Sequence, residues 1–300
     1  MIDQSWSLHT VGQTGLISMT VRNLNRAPQN RRNSVKETRQ HQLEKLGFRF
    51  GANGPHAART MMLDDLSILF SHVPAAGTRA DYAQAVLTEN VLGKPTKKSR
   101  ELALRHLTTL YGLDTRLAIF RALRRLWPID DAAQPVLALT AALARDPLLR
   151  GTQAFILDKK PGAHVTREDL ERCLAADHQD RFSPASLKSF AQNVNGTWTA
   201  AGFLSGHSRK TRSIPDVSPV NVALCLFLGH LQGLSGQRLF TSTWTNLLPG
   251  SPAELEALAN SAFHRGLVVF LNAAGVKEVR FPDYLTKEEE QVCQEASHVV

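Results

Sequence analysis

The side chains best suited to chemistry in this chain are basic and amide groups that follow two turns. One set lies in a Gly-Lys-Pro turn and the helix predicted after it, and comprises Lys94, Lys97, Lys98, Arg100 and Arg105. The other lies along the helix predicted after Ser183-Pro184 and in the loop beyond it, and comprises Lys188, Gln192, Asn193, Arg209, Lys210 and Arg212. Lysine and arginine neutralise phosphate, and Asn and Gln hydrogen-bond base edges. Both sets therefore predict contacts with duplex DNA.

The first set belongs to a helix-turn-helix pattern. A helix predicted over 79–91 ends before the turn, and Thr96 can cap a second helix over 97–111. The leucines of this second helix recur near helical spacing and are expected to turn inward. Its first-turn cations oppose the helix macrodipole, and a phosphate there would compensate them. A solvated basic turn between two bundle helices is the alternative.

The second set follows a clearer pattern. Ser183 and Pro184 are typical of a helix start, and apolar residues then recur at spacings of three and four. These residues are Leu187, Phe190, Val194 and Trp198. Gly202 ends the helix, and the basic loop 207–212 is typical of the wing of a winged helix-turn-helix domain. The alternative is a solvated helix followed by a mobile linker.

A third pattern of helix plus hairpin begins at Ser251-Pro252 and continues over 267–281. Its cations are few, and Glu278 partly offsets them. A role of this module in packing or in protein contact is therefore at least as well supported as contact with DNA.

Helical periodicity dominates the whole chain. The predicted helices cover roughly 56–72, 79–91, 97–111, 115–126, 131–145, 148–157, 166–177, 184–200, 219–232, 236–247 and 252–265. We expect a mainly α fold, a helical bundle with two helix-turn-helix units and a C-terminal winged-helix-like module carrying a small β-hairpin. The predicted segments are a basic, disordered extension (1–52), an N-terminal helical domain (53–160), the winged unit (161–215), the C-terminal module (216–286) and a tail (287–300).

Charge is unevenly distributed along the 300 residues. The chain has 35 Lys and Arg against 27 Asp and Glu, a net charge of +8. Residues 1–50 hold eight of the basic and three of the acidic side chains, so the remainder is nearly balanced. A DNA-binding face must therefore come from local clustering. The polar character of 1–50 predicts disorder up to about Gly51.

Motifs of catalysis and metal binding are missing from the sequence. It has no phosphate-binding GxxxxGK[ST] loop, no GxSxG elbow and no HExxH pair. Its three cysteines are widely separated, which argues against a disulfide framework and for a reducing cytoplasm. The apolar segment 217–231 is too short and too interrupted to span a bilayer. We expect no enzyme activity, no cofactor, no metal, no membrane contact and no small-molecule substrate.

Three segments resemble the BrxA family of BREX bacteriophage-exclusion systems. They are residues 88–100 (TENVLGKPTKKSR), 182–188 (FSPASLK) and 201–204 (AGFL), and the resemblance extends over about 54–205. It implies an all-helical, non-enzymatic DNA-binding component of a phage-defence operon, with other defence proteins as partners. The chain departs from the family pattern in its N-terminal stretch and in the module after Ser213.

The sequence thus predicts a non-catalytic, cytoplasmic component of a phage-defence system that contacts duplex DNA mainly through phosphate. Two alternatives stay open at this point. One is a sequence-specific transcription regulator of the defence operon, and the other is a protein scaffold with only weak DNA contact.

Overall fold

The computed structural model describes residues 37–51, 54–176, 181–273 and 275–297. The described residues from 43 onward form one compact unit, which does not include residues 37–42. The described chain is mainly helical, with one three-stranded and one two-stranded antiparallel sheet. The predicted fold class, a helical bundle with a small β-hairpin, is confirmed.

Six helices form the first half of the described chain. They are α1 (37–46), α2 (Leu63–His72), α3 (Arg79–Leu87), α4 (Lys97–Tyr111), α5 (Ala118–Leu126) and α6 (Gln134–Arg145). Thr78 and Thr96 start α3 and α4 with capping boxes, in which side chain and backbone bond each other reciprocally. The predicted helix 56–72 begins only at Leu63, because Pro55–Ala57 form a 3₁₀ turn and Met62 has a φ of 52°.

The second half combines helices with two small sheets. Its helices are α7 (Pro147–Gly151), α8 (Gln153–Leu157), α9 (Arg167–Ala176), α10 (Pro184–Ala200), α11 (Pro219–Leu231), α12 (Pro252–His264) and α13 (Lys287–Ser297). Its strands are β1 (His164–Val165), β2 (Leu204–Ser205), β3 (Lys210–Arg212), β4 (Val269–Ala273) and β5 (Val276–Arg280). The first sheet has the order β1-β3-β2, and β4 pairs with β5.

Helix α11 lies at the centre of the core. All its residues except His230 are buried, and it packs on α5, α6 and α12. Its polar Asn221 is satisfied, because Nδ2 donates to the Ala133 carbonyl at 3.0 Å and Oδ1 accepts from the Ser218 N–H at 3.0 Å. The predicted modules 53–160, 161–215 and 216–286 thus all fall within the one compact unit. In the part of the chain that the structure describes, no helix is both long and apolar enough for a membrane span.

The end of the predicted disordered extension is helical and partly buried instead. Residues 37–46 form α1, and Leu46 and Phe48 are almost fully buried. The Phe48 ring lies 5.9 Å from that of Trp244, and the Arg49 N–H donates to the Ala144 carbonyl at 3.1 Å. Too few apolar residues occur here to give a periodic signal, so only tertiary contact shows their role. Residues 1–36 lie outside the described residues.

Four arginines face inward and bond helix ends. The ends are those of α2, α4, α6 and α8, where carbonyl groups lack helical partners. Arg124 donates to the Phe70 carbonyl at 3.0 Å, Arg145 to that of Thr109 at 3.2 Å, Arg150 to that of Ala144 at 2.8 Å and Arg212 to that of Ile156 at 3.1 Å.

Their charges also face the negative ends of the helix dipoles. Burial, with the nearby charge of Arg49, lowers the pKa of Arg145 to about 10. Four of the chain's positive charges are therefore used within the fold and are not available to a partner.

Candidate nucleic-acid interface

Helix α10 has one buried and one outward face. Ala191, Val194 and Trp198 are fully buried, so they hold the helix against the core. A polar stripe faces outward at helical spacing and consists of Lys188, Gln192, Asn195 and Thr199. Lys188 and Gln192 are exposed, while Asn195 and Thr199 are partly buried.

Trp198 anchors α10 by both packing and hydrogen bonding. Its ring lies 5.1 Å from that of Phe203 in an edge arrangement, and its Nε1–H donates to Thr152 Oγ1 at 3.0 Å. The inward stripe predicted from the sequence therefore positions the helix as expected.

A buried polar network ties α10 to the segment before α2. Asp146 Oδ2 lies 2.8 Å from both the backbone N and Nδ1 of His56, and His56 Nε2 lies 2.7 Å from Thr197 Oγ1. Thr197 Oγ1 also accepts the Met61 N–H at 2.9 Å. These bonds fit a His56 that carries its proton on Nδ1 and accepts the hydroxyl proton of Thr197 on Nε2.

The hydrogen bonds join a carboxylate, an imidazole and a hydroxyl in the same order as in a catalytic triad. Here, however, all three side chains are shielded from solvent. His56, Asp146 and Thr197 are all fully buried, so this hydroxyl cannot meet a substrate. Burial raises the pKa of Asp146, and the bonds from His56 and the Leu149 N–H outweigh it, so the pKa lies below its usual value. The network acts as an internal brace that fixes α10 relative to residues 54–61.

The β2–β3 hairpin projects a basic tip beside α10. Gly206 starts the tip with a φ of 91°, and a Cβ there would overlap the Arg209 carbonyl oxygen. Lys210 Nζ closes the turn by donating to the Gly206 carbonyl at 2.6 Å. Arg209 is exposed at the tip.

A cavity of about 600 Å³, the hairpin groove, lies between this tip and α10. It is lined mainly by His164, Arg167, Asn195 and residues 207–210. Arg167 is ion-paired with Glu168 at 2.5 Å, so it adds little net charge. The positive character of the groove therefore comes from its hairpin side.

A second cavity of about 400 Å³, the α4 groove, lies on the neighbouring side of α10. It is lined by residues 59–65, Lys94 and the first turns of α4, and by Gly196 and Ala200 of α10. Lys94 is paired with Asp65 at 2.8 Å, whereas Arg59 is exposed. Burial lowers the pKa of His106 on α4, and the nearby charges of Arg105 and Arg59 lower it further.

The two grooves meet at consecutive residues of one helix. Asn195 lines the hairpin groove and Gly196 lines the α4 groove. Of the two basic sets predicted from the sequence, Lys94 of the first lines the α4 groove, and Arg209 and Lys210 of the second line the hairpin groove.

The structure distributes the predicted site residues into two classes. The exposed class makes no ion pair among the described residues and consists of Lys97, Lys98, Arg105, Lys188, Gln192 and Arg209. The engaged class bonds within the fold and consists of Lys94 with Asp65, Arg100 with the Leu87 carbonyl, Asn193 with the His56 carbonyl, Lys210 with the Gly206 carbonyl, and Arg212.

Arg212 differs most from its predicted role as a phosphate contact. It is 9% exposed, its guanidinium lies 5.3 Å above the Phe203 ring, and it donates to the carbonyls of Ile156 and Phe203. Because its side chain points inward, Arg212 stabilises the hairpin from within and is left out of the proposed interface.

Arg59 and Asn195 are polar groove residues that lie outside the two sets predicted to contact DNA. Arg59 precedes α2 in extended chain with no periodic signal, so the sequence did not mark it. Asn195 lies three residues after Gln192, and this helical spacing could have identified it. Within the described residues, no group of three or more His, Cys, Asp or Glu side chains could hold a metal ion.

Comparison with known proteins gives no family for this chain. No family model matches it, and no curated protein matches it. Two solved structures are similar over most of their length, "Magnesium ion-bound SspB crystal structure" and "SspB crystal structure". Each has 10% identity and a TM-score of 0.49, and they cover 85% and 86% of this chain and 99% and 100% of their own. At these values the likeness carries no argument, so function is argued below from the residues.

Proposed function

We propose that this protein binds duplex DNA, mainly through the phosphate backbone, and acts without catalysis as a component of a bacterial phage-defence system of the BREX type. The observation that carries the DNA-binding proposal is the polar outward face of α10 beside the basic tip of the β2–β3 hairpin, with a second groove on its other side that Arg59 lines. The place in a defence system rests on the BrxA resemblance of 88–100, 182–188 and 201–204 alone.

The arrangement of elements supports α10 as the helix that enters the major groove. Strand β1 precedes α9 and α10, and the hairpin β2–β3 follows them, with β3 between the other two strands. The same order of elements is found in winged helix-turn-helix domains, whose second helix contacts bases, and it supports the proposal. The 17 residues of α10 give a length of about 25 Å, and the major groove, about 12 Å wide, admits a helix.

Five cations without an acidic partner among the described residues are proposed to contact the phosphates beside such a helix, and one of them, Lys210, is half-buried. Arg209 and Lys210 belong to the hairpin, Lys188 to the start of α10 itself, and Lys97 and Lys98 to the first turn of α4. Two lysines at a helix start are unfavourable beside the positive end of the dipole, and a phosphate would reverse this cost.

The test is binding to a fluorescently labelled duplex of roughly two helical turns, measured by anisotropy at low salt. The variant K97A/K98A/K188A/R209A/K210A should lose about 100-fold or more in affinity, because these cations supply the electrostatic term. The variant R265Q/R280Q, which removes two exposed cations of the C-terminal hairpin region, is the control and should bind like the wild type.

Equal binding by the five-site variant and the control, with both folded by circular dichroism, would overturn the proposed interface. Incubation of the bound duplex with Mg²⁺ checks the second part of the proposal. The strands should stay intact, and cleavage that depends on the protein would contradict a non-catalytic role.

The C-terminal hairpin favours a second candidate function, that of a protein scaffold. Cross-strand pairing puts Leu271 and Val276 on its outward face, where they are 45% and 73% exposed. Exposed apolar residues on a sheet suit contact with another protein. Partners that copurify after nuclease treatment, and are lost in L271S/V276S, would support this candidate.

A further inference from the structure

The three amide side chains in the middle of α10 have different surroundings. Gln192 is exposed. Asn193 Nδ2 donates to the His56 carbonyl at 3.0 Å, so its amide belongs to the brace between α10 and residues 54–61. Asn195 lines the hairpin groove, and its buried Oδ1 has no hydrogen-bond partner among the residues that the structure describes.

The unpartnered oxygen of Asn195 calls for a physical explanation. Buried polar atoms in proteins are nearly always bonded, and one left without a partner costs free energy. The amide can turn about its Cβ–Cγ bond toward the groove, and its oxygen has no protein partner to lose in doing so. A hydrogen bond from a ligand to this oxygen would therefore remove an unfavourable free-energy contribution without breaking a bond of that oxygen.

The ligand must offer a hydrogen-bond donor beside an acceptor, since an amide presents one of each. In the major groove only adenine carries both on one base edge, the N6 amino group and N7. Guanine presents two acceptors there, cytosine one donor, and thymine one acceptor with a methyl group. The spacing of Asn195 from Lys188, two helical turns along the same stripe, lets a phosphate contact fix the register of a base contact.

We infer that Asn195 selects an adenine in the major groove, so that binding through phosphate is accompanied by a preference at one base pair. This inference rests on the proposed function and adds a base-specific contact to it.

The experiment is selection from duplexes with a randomised centre, followed by affinity measurement on the enriched duplex. The wild type should enrich adenine at one position and bind it about tenfold more tightly than duplexes with another base pair there. N195A and N195S should lose this ratio while keeping the salt dependence of the wild type. N246A, which removes an exposed amide from another segment, is the matched control and should keep the preference.

A change in the DNA tests the contact without altering the fold. Replacing the selected adenine by 7-deazaadenine removes the N7 acceptor, and should weaken wild-type binding several-fold but leave N195A unchanged. A wild type that binds duplexes with no preference, or a preference that persists in both Asn195 variants, overturns this inference and leaves the proposed function standing. A wild type that binds no duplex at low salt overturns both.

Discussion

The chain contains two units in which a Ser-Pro-capped helix is followed by a hairpin, and they differ in how their charges are used. In the first, α10 and β2–β3, the hairpin tip leaves Arg209 exposed and unpaired among the described residues. In the second, α12 and β4–β5, Lys277 pairs with Glu256, and Arg280 pairs with Glu278 at 2.6 Å.

The comparison teaches that a helix-plus-hairpin pattern does not by itself predict a nucleic-acid interface. Both units carry the same start signal and a similar hairpin, but only the first combines unpaired cations with a polar helix face. The second unit pairs both cations of its hairpin, Lys277 and Arg280, with glutamates, and it exposes apolar residues, Leu271 and Val276, instead. A partner of the first unit is expected to be anionic, and a partner of the second to be apolar.

The largest expected effect is on stability at the first unit. Trp198→Ala removes a fully buried ring and its bond to Thr152, and should lower the free energy of unfolding by about 3 to 5 kcal/mol. Urea denaturation followed by circular dichroism measures this. Leu271→Ala, at an exposed position of the second unit, is the comparison and should change stability by only about 0.5 kcal/mol. Equal losses would show that the inward stripe of α10 is not what anchors it.

Arg212→Ala tests whether an arginine that points inward contributes to stability and not to DNA binding. It removes bonds to the carbonyls of Ile156 and Phe203, and should cost about 1 to 3 kcal/mol of unfolding free energy. The slope of log affinity against log salt should stay unchanged in the folded variant, because Arg212 makes no phosphate contact. A shallower slope with unchanged stability would instead restore Arg212 as a DNA contact.

The double variant R209A/K210A tests the outward cations of the same hairpin. It should lower duplex affinity roughly tenfold at low salt and make the salt slope shallower by about 1.8, from about 0.9 for each phosphate contact. The matched variant R265Q/R280Q in the second unit should leave both quantities unchanged. If the two variants weaken binding alike, the contrast between the hairpins has no functional meaning.

The smallest expected effect is on the free energy of unfolding, which should rise in a variant that binds duplex DNA more weakly. K97A/K98A should weaken duplex binding, yet raise the free energy of unfolding by a few tenths of a kcal/mol, because it removes cations from the positive end of α4. Thermal unfolding and anisotropy on the same preparation check this. A loss of stability would show that the two lysines have structural partners.

Much of the fold could be predicted from the sequence where local signals agree. The expected helices 97–111 and 184–200 have the bounds of α4 and α10, since each has a cap residue and a regular apolar stripe. The expected helix 236–247 is two 3₁₀ segments, Gly236–Thr241 and Thr245–Leu247, because Ser242 and Thr245 bond each other and interrupt it.

The candidate site could be predicted only in part, because its two halves meet through tertiary structure. No local pattern shows that the start of α4 lies beside Gly196, or that Arg212 bonds carbonyls while Arg209 stays exposed. Both arginines belong to the same basic loop in the sequence. Charge clustering therefore marks a candidate interface, but it does not show which of its side chains are exposed.

The measurement that tests the central claim most directly is the salt dependence of duplex binding by the wild-type chain. Five cations of the proposed interface have no acidic partner among the described residues, namely Lys97, Lys98, Lys188, Arg209 and the half-buried Lys210, and together they predict a slope of log affinity against log salt of about −4.5. The dissociation constant should then fall between about 10⁻⁴ and 10⁻⁶ M at physiological salt for unselected duplexes. A slope near zero, or no binding at low salt, would contradict the account that α10 and its two basic flanks form a DNA interface.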